Sequence, residues 1–241
     1  MESENIEQSY SEHLDTSNEL KNAIKKVDFD LATDYAEIGL DSFVTDEVLK
    51  EIPIVKTLVG LTRGALKVRE IHFAKKLMTF LKHFHSGKLS EDKMNGFKRE
   101  FEENTSYRER VLEQIMIYND RFIEVNKSEI YANLFLAHLN GKYNWESFLS
   151  LSSCLEKLNL STIDFFHEMA KESKPFYRGY SQFDDNVALL ITAGLIQQWG
   201  THIQITAHGI YLYFYGILGD TNHTFDNPAE ETNNHSAQQG A

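Results

Sequence analysis

The stretch IPIVKTLVGLTRGALKV, residues 52–68, constrains this chain more than any other. It is apolar enough to be buried whole, yet it carries Lys56, Arg63 and Lys67. On a helical wheel at about 100° per residue these three cations fall within about 40° of one another, with Gly60 beside them. Val55, Leu58, Val59, Leu61, Ala65, Leu66 and Val68 occupy most of the remaining circumference. The result is a broadly apolar helix with a narrow cationic stripe. Gly60 and Gly64 add a G-x-x-x-G spacing, which lets two helices approach closely in lipid.

As a lone membrane span the stretch fails. A span needs roughly 18 consecutive apolar residues. Each cation at the bilayer centre costs about 2.5–3.5 kcal/mol on insertion scales, so three facing lipid are prohibitive. An oligomer that turns the stripe to a water-filled lumen removes the objection. A helix lying in the interface, cations towards anionic headgroups, also removes it. A third arrangement makes this the central helix of a soluble bundle with the stripe at its surface.

The charge balance bears on the choice. A net charge of −12 argues against nonspecific nucleic-acid binding over the whole surface. The charge lies in blocks: residues 1–55 carry −10, residues 56–88 carry +7 and residues 89–241 carry −9. Arg69, Lys75, Lys76 and Lys82 follow the striped helix and are expected to contact a ligand or lipid headgroups. The acidic segment ahead of them is expected to shield the stripe until activation.

The fold class is mainly α, a helical bundle with a small C-terminal winged-helix-like element built on a short β-hairpin. Residues 1–43 read as an acidic, partly disordered segment and 44–88 as one long amphipathic, basic helix ending near Gly87. Residues 89–172 read as antiparallel helices, one opened by Ser128-Glu129 and ended by Gly141, another opened by Ser161 with Asp164 in a capping-box spacing. Residues 173–218 form the winged-helix-like module: DDNVALLITAGLI as a helix closed by Gly194, QQWGTHIQIT as a hairpin turning at Gly200-Thr201, and AHGIYLYFYGIL as a last helix. Residues 219–241 read as a disordered tail. No secretory leader is expected, and the single cysteine, Cys154, is expected to be an inert core thiol in a reducing cytoplasm.

Chemical motifs are absent. There is no phosphate-binding, dinucleotide-binding, serine-hydrolase or zincin pattern, so no catalytic residue and no cofactor is expected. His83 and His85 form H-x-H without an acidic or cysteine partner at a recognisable spacing, and no metal is expected. His167-Glu168 and Asp184-Asp185 read as solvated helix ends rather than acid–base pairs. The candidate recognition helix has no Lys or Arg, which argues against sequence-specific DNA binding. The aromatic run Tyr211, Tyr213, Phe214 and Tyr215 could stack a base but reads better as core or interface.

The segments IPIVKTLVGLTRGALKVRE, HFAKKLMTFL, AHLNGKYNWESFLSLSSCLEKL, GLI and IQITAHGIYLY together resemble a family of small bacterial proteins, some of which sit with anti-phage defence genes. The named system they resemble is Hailong, over roughly residues 45–218. The resemblance implies a channel-like effector, a homo-oligomer, restrained by an oligonucleotide-type ligand or by a partner nucleotidyltransferase. It implies a place at the cytoplasmic face of the inner membrane, or in the cytoplasm at rest. The expectation is therefore a non-enzymatic effector that oligomerises and perturbs the inner membrane or forms a pore in it. The other reading is a soluble regulatory or adaptor protein that binds a protein partner through its bundle and winged-helix-like end.

Overall fold

The computed structural model describes residues 15–25, 53–60, 66–172, 177–178 and 184–224. The described residues are mainly helical, as the sequence implies. In chain order they form α1 (15–25), α2 (Pro53–Gly60), α3 (Leu66–Ser86), α4 (Glu91–Glu103), α5 (Thr105–Arg121), α6 (Asn126–Leu139), α7 (Trp145–Lys157) and α8 (Leu160–Ala170). Then come β1 (Tyr177–Arg178), α9 (Asp185–Thr192), β2 (Ile196–Trp199), β3 (His202–Ile205) and α10 (Ala207–Tyr211), which runs on as a π-helical turn over Leu212–Ile217.

The helix α6 is the centre of the bundle. It is apolar around most of its circumference, and Ile130, Tyr131, Ala132, Leu134, Phe135, Leu136 and Ala137 are all buried. A helix of this kind has to be covered on every side. The helix α3 covers one side, with Phe80 6.2 Å and Phe84 5.8 Å from Phe135 between ring centroids. The helix α7 covers another, with Phe148 5.5 Å from Phe135 and 5.4 Å from Tyr131. The π-turn covers a third, where Gly216 packs against Ile130 and Leu134.

The long helix expected over 44–88 is two helices in the described residues. The helices α2 and α3 lie side by side. One continuous rod, rising about 1.5 Å per residue, would carry its two halves apart instead. Ile54 and Val55 are buried in this contact-forming helix while Lys56 faces out. Two helix starts also move. The helix α6 begins at Asn126, so Lys127 and Ser128 lie inside it and are buried. The helix α8 is capped by Asn159, whose side chain accepts from the Thr162 backbone N–H, rather than by Ser161. With the helix starting two residues earlier, the Ile163 N–H that a Ser161 cap could have taken already donates to Asn159 O at 3.0 Å.

Gly87 follows α3, but its role is packing rather than a left-handed turn. A Cβ there would stand 2.0 Å from Leu136 Cδ1. At the other end, the tail does not begin at residue 219. His223 stacks on Phe214 with centroids 3.7 Å apart, and its carbonyl accepts from Tyr215 Oη at 3.0 Å and Lys142 Nζ at 3.2 Å. The rest of the expected tail lies outside the described residues, as does most of the segment 1–43.

Candidate functional site

The predicted cationic residues divide into three groups. Lys56 is exposed on α2, and Gly60 is that helix's last residue. Arg63 and Gly64 lie outside the described residues, and Lys67 sits in the first turn of α3. Arg69, Lys75, Lys76 and Lys82 all lie on α3, and Arg69 and Lys76 bond to the end of α5 and the residues just past it. Arg69 holds both carboxylate oxygens of Asp120, at 2.9 and 3.2 Å. Lys76 is buried, and its Nζ donates to Asp120 O at 2.9 Å and Phe122 O at 2.7 Å. His72 lies on the same face, with Nε2 2.7 Å from Ile123 O. Burial pushes the Lys76 pKa down from its ordinary value, partly offset by the nearby Asp120 charge. Lys75 and Lys82 are half-buried.

Lys76 is therefore not a surface contact for a headgroup, which corrects the expectation for that residue. The last carbonyls of a helix have no partner within it and form the negative end of its dipole, so a cation is stabilising there. The same device recurs. Arg108 donates to Phe101 O and Glu102 O at the end of α4, at 3.2 and 2.9 Å. Buried Lys127 donates to Glu156 O at 3.3 Å near the end of α7, and it pairs with Glu124 at 3.1 Å. Lys93 donates to Asn140 O, the C-cap of α6. Part of the chain's limited positive charge thus closes its own helices.

The other candidate groups also have structural partners. His83 pairs with Glu129 at 3.5 Å, whereas His85 Nε2 stands 3.0 Å from Ala23 O on α1, so the H-x-H pair diverges. Among the described residues no group of three or more His, Cys, Asp or Glu could hold a metal ion. Asp184 caps α9, accepting from the backbone N–H groups of Asn186 and Val187. Glu168 pairs with Lys171. Cys154 is buried, and burial raises its thiol pKa. Tyr213 and Tyr215 are buried, and the Tyr211 ring stacks on Tyr215 at 5.7 Å, so the aromatic run builds core.

The described part of the acidic segment, α1, packs at the C-terminal end of α3. The helix α1 buries Leu20, Ala23 and Ile24 near the far end of α3, where Ala23 meets His85. Its Lys25 pairs with Glu102 on α4, which holds that carboxyl below its ordinary pKa through the hydrogen bond.

The winged-helix-like end presents the most distinctive surface. From Asn186 to Gly219 the chain has no Lys, Arg, Asp or Glu. The sheet order is β1-β3-β2, all antiparallel, so β3 is central and β2 is an edge. Gly200 turns the hairpin with φ of +58°. The corner below is rigid: Thr206 Oγ1 donates to Gly194 O at 2.7 Å and accepts from Gly209 N at 3.1 Å. Along β2 only Ile196 is buried, while Gln197, Gln198 and Trp199 are exposed. Trp199 is 63% exposed, at the tip of the wing. It was not among the expected site residues. A large aromatic beside a turn glycine in an uncharged strand was the available signal. No family model, no curated protein and no solved structure matches the chain.

Proposed function

We propose that this chain is a non-enzymatic regulatory or adaptor protein that binds a protein through its winged-helix-like end. The observation that carries the reading is the wing: an uncharged edge strand that ends in exposed Trp199. Tryptophan is enriched among the residues that dominate protein interfaces, because it buries a large area with few torsions to fix. Binding a phosphate backbone calls for cations, and the wing and α9 supply none. The bundle serves as the frame, its cationic side chains closing helix ends. The test is in-cell crosslinking of a tagged chain in its native host. Trp199→Glu is expected to lose the protein crosslinks of the wild type, and an unchanged set would remove the reading.

A second reading is the membrane-perturbing, self-associating effector of anti-phage defence. One observation favours it: α2 exposes Lys56 on an otherwise apolar helix, at the start of the striped stretch. No helix among the described residues is long and apolar enough to cross a membrane, and residues 61–65 of the striped stretch lie outside them. Fractionation with a carbonate wash distinguishes the readings. Retention in the membrane supports the effector, and release supports the protein-binding reading.

A further inference from the structure

We infer that the wing's partner is a second copy of this chain, joined edge to edge along β2 in antiparallel register centred on Gln197. The inference rests on the protein-binding reading above and names the partner.

The backbone sets the register. Trp199 faces His202 across the two-residue turn, and Thr206 N donates to Leu195 O at 2.9 Å. Hydrogen-bonded and non-hydrogen-bonded pairs alternate along an antiparallel ladder. The N–H and C=O groups of Gln197 and Trp199 therefore turn towards β3. Those of Ile196 and Gln198 turn outward, and no described residue hydrogen-bonds them. A two-fold axis at Gln197 sets Ile196 of one copy against Gln198 of the other, and the reverse. Both outward-facing residues are then paired by one operation, the self-complementarity that an isologous dimer requires. The two three-stranded sheets become one continuous sheet.

The charge pattern favours a second copy. A chain of net charge −12 repels its own kind over most of its surface. The stretch from Asn186 to Gly219 is uncharged apart from two histidines, so repulsion is least there. Edge strands are ordinarily guarded by Lys, Pro or a bulge, and β2 has none of these. The side chains suit the same register. Gln197 meets its own copy at the axis; its Nε2 donates to Gln204 Oε1 at 2.8 Å, and its second N–H and its carbonyl oxygen suit the other amide. Trp199 lies diagonal to the other Gln197, within the reach of an aromatic ring.

Sedimentation equilibrium of the purified full chain tests the proposal, with two variants. Gln197→Lys places like charges against each other at the axis, and within the fold it gives up only the exposed hydrogen bond from Gln197 Nε2 to Gln204 Oε1. Gln198→Pro removes one outward donor without touching the β2–β3 ladder. The expected result is a wild-type dimer and loss of the dimer in both variants, each keeping the wild-type circular dichroism spectrum and losing only the concentration-dependent part of the melting temperature. A wild type that is monomeric at every concentration would overturn the proposal, as would a dimer that survives both substitutions. Neither outcome removes the protein-binding reading, which fails only if Trp199→Glu leaves the in-cell crosslinks unchanged.

Discussion

The ammonium of Lys76, in the middle of α3, stands 2.7 Å from the carbonyl of Phe122, just past the end of α5. A second bond to Asp120 O makes one buried cation the closure of a helix on another element. Lys76→Met is expected to cost about 1–3 kcal/mol, because buried carbonyls lose their donor. Arg69→Ala, which removes a solvent-exposed pair with Asp120, is expected to cost less than about 1 kcal/mol. Urea denaturation of the two variants checks the order. Equal losses would show that the Lys76 bonds are not the dominant contribution.

The bundle is expected to weaken in mild acid. Burial lowers the pKa values of His83, His85 and His138 from the ordinary value of 6.5. A base with a lowered folded pKa takes its proton first in the unfolded chain. Stability is therefore full above about 6.5 and falls as pH drops towards the folded values. Carboxylates titrate mainly below this window. Thermal melts from about pH 7.5 to about 5.5 should show a falling melting temperature, with a shallower fall in His85→Gln.

Two glycines should respond in opposite directions to alanine. A Cβ on Gly209 would meet Leu195 O at 2.2 Å and Ile205 Cγ2 at 2.6 Å, at the corner below the wing. Gly209→Ala is expected to destabilise by more than about 2 kcal/mol. Gly96 lies within α4 and would meet nothing within 4 Å. Gly96→Ala is expected to stabilise by about 0.5–1 kcal/mol. Chemical denaturation of both reads the signs directly.

Tyr131 is wholly buried, and its hydroxyl has no hydrogen-bond partner among the described residues. Its ring packs against Phe80, Tyr118, Phe122 and Phe148. Tyr131→Phe keeps the ring and removes the unsatisfied group. The expected outcome is a protein as stable as the wild type or more stable, by up to about 1 kcal/mol. A clear loss of stability in the denaturation curve would show that the hydroxyl has a role.

Much of the architecture was legible in the sequence. The helices of the bundle, the hairpin at Gly200 and the helix endings at Gly141 and Gly194 follow from local pattern, since each glycine takes a positive φ. Tertiary choices were not legible. Lys76 reads as a surface cation until α5 brings its carbonyl end against α3, and nothing near Lys76 in sequence announces that neighbour. Lys127 and Ser128 look polar and initiating, yet they are buried because Lys127 reaches Glu156 O on α7. The helix end near Gly87 was located correctly, but what demands a glycine there, the close approach of Leu136, is distant in the chain. The wing's lack of cations was legible, whereas the exposure of Trp199 became visible only with the sheet order in place.

The bond from Asn133 Nδ2 to Gly216 O joins α6 to a residue 83 positions later. During synthesis, α6 can meet α3 and α7 soon after it leaves the ribosome, but the side covered by the π-turn stays bare until residues 212–217 emerge. Throughout that interval the nascent chain displays Ile130 and Leu134 to its surroundings. The sealing of the central helix therefore cannot precede the synthesis of residues 212–217, and a ribosome stalled before residue 212 would hold an exposed apolar face suited to chaperone capture.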